Sequence, residues 1–135
     1  METAHLSEEA IEAGLAGVLA SPRDGGRLAA IVIRPAEDER QLCQSAWLSP
    51  EGGVEGDRWA TESGWLAQPD GRPDRRVQVS IMNARLLRMI AGQEERIKLA
   101  GDNLVVDLDL SEENLPVGQR LRAGEALLEL SLIHI

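Results

Sequence analysis

A small, mainly β domain with peripheral helices, its strands rolled into a barrel, is the fold predicted by this 135-residue sequence. Three observations point to it. The stretch from Gly101 to Leu132 holds three short alternating runs joined by turn signals. Leu28 to Ile33 and Arg76 to Met82 add apolar or alternating runs of strand type. The length suits one core, so a single domain is expected over residues 1–135, with a helix within 1–22 and the barrel over 28–132.

At the N-terminus, Ser7 has the character of an N-cap. Glu8 and Glu9 follow in the first turn, where the helix dipole favours acids. Leu6 and Ile11 have the spacing of a hydrophobic staple. Ile11, Leu15, Val18 and Leu19 fall on one face. Pro22 ends the helix, and Gly25 and Gly26 mark a turn. Leu28 to Ile33 reads as a buried strand, and Arg40 to Leu48 as a second. Arg76 to Met82 is a third. Asn83 then caps a helix over Ala84 to Ala91, with Leu86, Leu87 and Ile90 inward and Gly92 as its stop. Glu94 to Leu99 forms a further helical turn.

In the back half, Leu104, Val106 and Leu108 face one way while Val105, Asp107 and Asp109 face the other, toward water. After the turn at Pro116 and Gly118, Val117, Leu121 and Ala123 oppose Arg120 and Arg122. Gly124 and Glu125 turn the chain again, and Ala126, Leu128 and Leu130 oppose Leu127, Glu129 and Ser131. Strands with one apolar and one wet face suit a barrel wall.

Charge and composition exclude several functions. A net charge of −9 disfavours non-specific contact with nucleic acid or anionic lipid. Trp47, Trp59 and Trp65 are the whole aromatic set, too few for a single-strand stacking platform. No apolar run approaches the ~18 residues of a spanning helix. The acidic N-terminus lacks a signal-peptide layout, so a cytoplasmic location is expected. Cys43 is the lone cysteine, which rules out an internal disulfide. It reads as a small half-buried strand residue.

Other chemistry fails on spacing. Asp107, Asp109 and Ser111 begin like a calcium loop, but Glu112 and Gly118 stand where glycine and glutamate are needed. His5 and His134 lie at opposite ends, so no metal site is predicted. The Gly52–Gly56 loop lacks the Lys-Ser/Thr ending of a P-loop. The closing run from Pro116 to Leu130 is also similar to the final hairpin of biotinyl carriers. The only lysine, Lys98, is not at a hairpin tip.

The glycine- and proline-rich segment from Ser49 to Arg75 is long for an internal loop, a sign of function or mobility. Arg58, Arg72, Arg75 and Arg76 there face Glu62, Asp70 and Asp74. They read either as an anion-facing rim or as a loop of mixed charge. Within the loop stands Gly53-Val54-Glu55-Gly56-Asp57-Arg58-Trp59. Further on come Val79 to Asn83, Gly101 to Leu110, and Leu115 to Leu121. In order and content these four stretches resemble the MOSC domain, the C-terminal module of molybdenum cofactor sulfurases and of stand-alone bacterial relatives.

The resemblance implies a barrel related to that of pyruvate kinase, with Gly53–Trp59 lying close to Gly101–Leu104. It implies binding of the molybdenum cofactor, or sulfur carriage in its metabolism. Asp57, Arg58, Arg76 and Asn103 become the candidate cofactor-binding residues, with Arg58 or Asn103 touching a pterin phosphate. Asp57 and Asn103 have a second reading, in which they satisfy turn amides. In the family a cysteine after the last strand carries persulfide or ligates molybdenum. The sequence here ends Ser131-Leu132-Ile133-His134-Ile135 without a thiol, as if truncated, so no catalytic residue is assigned. Pyridoxal phosphate belongs to a separate domain of the large members, and no site for it is expected here. The expected partner is therefore a small anionic or pterin ligand. The alternative function is a non-catalytic interaction domain, with the terminal strand and its apolar tail (Leu130, Leu132, Ile133, Ile135) completing the barrel or pairing across a homodimer.

Overall fold

A computed structural model describes residues 7–36, 38–60, 70 and 78–131. Helix α1 runs Glu8–Leu19, with the Ser7 hydroxyl accepting from the Ala10 amide at 3.1 Å as the N-cap. Strand β1 (Arg27–Ile33) follows, then β2 (Gln41–Cys43) and a tight hairpin of β3 (Leu48–Ser49) and β4 (Gly53–Val54). A single 3-10 turn occupies Arg58–Ala60. Strand β5 (Ile81–Asn83) leads directly into α2 (Ala84–Ala91), a 3-10 helix at Glu94–Ala100, and β6 (Leu104–Asp107). Strands β7 (Arg120–Ala123) and β8 (Ala126–Glu129) form the last hairpin.

The central sheet has four strands in the order β2-β1-β6-β5. Its β5–β6 pair is parallel and the other pairs are antiparallel. Strand β5, helix α2 and strand β6 thus form a crossover unit, because parallel neighbours cannot be joined by a tight turn. Asn83 starts the helix by accepting from the Leu86 amide at 2.9 Å, and Gly92 stops it in the left-handed conformation.

The apolar residues of β6 serve two cores. Leu104, Val106 and Leu108 join Ile31 on one face, against which Leu121, Ala123 and Leu128 of the last hairpin pack. Val105 points the other way and is fully buried against Ala84, Leu87 and Ile97. The face expected to be wet is therefore covered by α2. Farther along that face, Asp107 is bonded to Arg85 at 2.7 Å.

This arrangement corrects the predicted architecture. Helix and strand are equally represented, at 27% each, and the strands form small sheets with no closed barrel among the described residues. Among the described residues, the β3–β4 and β7–β8 hairpins each form a separate two-stranded sheet. Two faces of the sheet are apolar, so a helix covers one and a hairpin the other, and closure is not needed to bury them.

Several elements also differ in detail. The span from 40 to 48 holds the short β2, a break, and the start of β3. The strand expected at Arg76–Met82 is seen at Ile81–Asn83, and residues 76 and 77 lie outside the described residues. Helix α1 buries none of its residues, and Leu19 is 84% exposed. It meets α2 at Gly14, where an added Cβ would run into the Met89 side chain, and at Gly17, whose carbonyl accepts from Arg85 at 2.9 Å. Ile90 is exposed as well, because α2 turns Ala84 and Leu87 inward. Leu6 of the expected staple and residues 132–135 of the expected dimer strand lie outside the described residues. Among the described residues no helix is long and apolar enough to cross a membrane.

Candidate functional site

Two of the candidate residues meet at the end of the central sheet. Asp57 follows the left-handed Gly56 and directs its carboxylate under the end of β1. Oδ1 accepts from the Arg34 amide at 2.7 Å and from Arg34 Nε at 3.1 Å. Oδ2 accepts from Arg34 Nη2 at 3.0 Å and from the Trp59 amide at 3.2 Å. The Arg58 amide returns to the Arg34 carbonyl at 2.8 Å, so the two segments are tied in both directions.

Asn103 closes the junction from the other side. Its Nδ2 donates to the Val32 carbonyl at 3.0 Å and to Asp57 Oδ1 at 3.3 Å. Its Oδ1 accepts from the Ser80 amide at 3.2 Å, and its own amide donates to Ser80 Oγ at 3.1 Å. Asn103 is completely buried and uses both amide hydrogens. Gly53–Trp59 and Gly101–Leu104 are thus adjacent, joined through Asp57 and Asn103.

Electrostatics follow from this geometry. Burial raises the Asp57 pKa, but the hydrogen bonds and charge of Arg34 outweigh it and hold the carboxyl below its ordinary value. Asp102, next in chain to Asn103, behaves oppositely. Burial pushes its carboxyl up, and the charge of Arg34 offsets this only in part.

Beside the junction lies an open cleft of about 570 Å³. The Gly52–Arg58 loop lines it, with Pro35, Trp47 and Leu48. Gly53 takes φ +66°, and a Cβ there would approach the Gln78 carbonyl oxygen to 3.1 Å and the Trp59 ring to 3.2 Å. Only glycine supplies that turn without strain. Arg58 is half-buried and sits in the cleft wall. Asp57 also borders the cleft, whereas Asn103 does not.

Arg76, the remaining candidate, lies outside the described residues, as do Arg72 and Arg75 of the expected rim. Cys43 is half-buried in β2, packs against the core and does not line the cleft. Three participants were not singled out from sequence: Arg34, Ser80 and Trp47. Arg34 carried a weak signal, a cation just before Pro35 at the end of an apolar strand. Ser80 carried none.

No family model matches the chain, and no match is found among curated proteins or solved structures.

Proposed function

We propose that this chain is a MOSC-like ligand-binding module whose cleft beside Gly52–Arg58 takes a small anionic or pterin ligand. One observation carries the proposal. The Gly-x-x-Gly-Asp-Arg stretch and the Gly-Asp-Asn stretch, far apart in sequence, meet through the 3.3 Å contact of Asn103 with Asp57, and a cleft opens at that junction. Its volume falls in the range of small-molecule sites, roughly 300–1,000 Å³.

The lining fits the organic part of a pterin-type cofactor. Arg58 offers charge-assisted hydrogen bonds to a phosphate, and Ser49 a hydroxyl. When bound, such a cofactor would bring the redox chemistry of molybdenum. A soft metal favours thiolate, and the described lining holds no cysteine. The reading is therefore binding, with no step assigned through the metal. Asp57 acts on the loop through others, its carboxylate committed to Arg34, Trp59 and Asn103, while the Arg34 carbonyl holds the Arg58 amide.

Protein purified from a molybdate-fed host should carry a fluorescent pterin or metal above background. Arg58→Gln should lose it with the fold intact by circular dichroism. Empty protein that also ignores added pterin phosphates at millimolar concentration would rule the reading out.

The second reading, an interaction domain, is favoured by α1. That helix presents Leu15 and Leu19 outward and has no fully buried residue. Sedimentation across a hundredfold range of concentration distinguishes it, since a self-associating domain would grow with concentration.

A further inference from the structure

Trp47 is the most conspicuous side chain of the cleft. It is 77% exposed, yet it lines the cavity. Large aromatic side chains are costly to leave in water, and this protein has only three tryptophans. Trp59, nearby in the chain, is buried at 4% exposure, so the local packing had room for one indole and left the other outside.

The position of Trp47 is held firmly. Its carbonyl accepts from the Glu55 amide at 2.8 Å, closing the base of the β3–β4 hairpin. Leu48 pairs with Val54 and Ser49 with Gly53 in the next rungs. The hairpin turn is fixed by Ser49 Oγ, which accepts from the Gly52 amide at 2.9 Å. Gln78 Nε2 donates to the Pro50 carbonyl at 2.6 Å and so anchors the hairpin to the segment before β5. A hairpin held by these hydrogen bonds thus presents an exposed indole at the side of the cleft. Pre-organisation of this kind lowers the entropic cost of binding.

We infer that Trp47 is the stacking platform of the cleft and selects ligands with a planar aromatic ring. The ring lies on the indole, and its polar or anionic substituents point toward Ser49 and Arg58. The cavity volume suits a single ring system with substituents. The inference rests on the proposed ligand-binding reading and adds the feature that sets selectivity.

The test uses two probes of equal charge, pterin carboxylate, which is planar, and cyclohexane carboxylate, which is not. Each is titrated calorimetrically into the wild type, Trp47→Leu and Trp47→Phe. The wild type should bind the planar probe and discriminate against the other. Trp47→Leu should weaken the planar probe on the order of tenfold or more, and Trp47→Phe should restore part of that loss. Trp47 is already in solvent, so folding should be unchanged by circular dichroism. Equal affinity of wild type and Trp47→Leu for pterin carboxylate overturns the platform and leaves the cleft reading standing. Absence of binding by the wild type overturns both. A wild-type dimer that becomes monomeric in Trp47→Leu also overturns the inference, because a second copy would then be what covers the indole.

Discussion

Replacing Asp57 with alanine should be among the most damaging single changes in this protein, and the structure permits an estimate. The Asp57 side chain is 0% exposed and that of Arg34 24%. Removing one member of a buried pair costs roughly 3–5 kcal/mol, because the other charge stays behind without compensation. Arg34 can regain some water through its exposed edge, which places the ionic loss near ~3 kcal/mol. The Trp59 amide also loses its acceptor, adding about 1 kcal/mol. Asn103 keeps its bond to Val32 and loses less. The sum is about 4 kcal/mol, a large part of the ~5–15 kcal/mol that holds an ordinary domain together. Urea titration followed by circular dichroism reads it directly. With a slope of about 1–3 kcal/mol per molar, the midpoint should fall by more than ~1 M. The double variant Arg34→Met/Asp57→Ala removes the stranded charge and should recover about 2 kcal/mol relative to additivity. A single variant within ~0.5 kcal/mol of wild type, or a strictly additive double variant, would refute the reasoning.

The two carboxylates around Arg34 should have opposite pH signatures. The lowered pKa of Asp57 means its stabilisation is present above the ordinary carboxylate range and is lost as pH falls through the lowered value, so wild type but not Asp57→Ala should show that acid limb. The raised pKa of Asp102 means the folded state holds its proton longer, so stability falls as pH rises from the ordinary value through the raised one; Asp102→Asn should be more stable than wild type at neutral pH, as thermal melts at several pH values would show. Arg85 donates to Asp107 at 2.7 Å and to the Gly17 carbonyl at 2.9 Å, tying α1 to the sheet; Arg85→Met should cost about 1–2 kcal/mol and speed amide exchange in α1 before that in α2, whereas uniform acceleration would count against the tether. Gly53→Ala must hold φ +66° and crowd the Gln78 carbonyl, which should cost about 1–2 kcal/mol and lower the melting temperature by several degrees; an unchanged melting temperature would show that the hairpin relaxes freely.

The local elements were legible because their signals are local. Ser7, Asn83 and Gly92 mark helix ends through side-chain caps and a left-handed turn, and the structure uses each of them that way. The Gly124–Glu125 turn likewise sets a register in which Leu121 faces Leu128. What failed depended on partners. Strand, helix and strand in succession from Ile81 to Asp107 carry the pattern of a crossover, but alternation along β6 suggested a wet face. Val105 sits at the odd position of that alternation, and its burial follows only from α2 folding back over it. The largely exposed stripe of α1 shows the same limit, since periodicity shows which residues share a face but not whether anything covers it. In the site, Asp57 and Asn103 stood out as polar residues among turn glycines. Arg34 and Ser80 acquire their roles only when β1 and the segment before β5 are brought together.

The hydrogen-bond inventory of the junction bears on where ligand selectivity can reside. Both amide hydrogens of Asn103 are spent on Val32 and Asp57, and the Asp57 carboxylate is spent on Arg34, Trp59 and Asn103. Groups so committed can hold a loop in place, but breaking their bonds to greet a ligand would forfeit what keeps the loop folded. Motif residues of this kind therefore specify the shape of the cleft more than its occupant. On the ligand-binding proposal, discrimination would fall to groups on the cleft wall that contribute little to folding, and Trp47 is the clearest of these, with most of its surface in solvent and its backbone pinned at 2.8 Å to Glu55. It follows that exchanging the indole for other side chains should alter which rings the cleft accepts while leaving the unfolding midpoint nearly unchanged. The reverse pattern is expected at Asp57, where substitution should collapse stability and reduce affinity for every ligand alike.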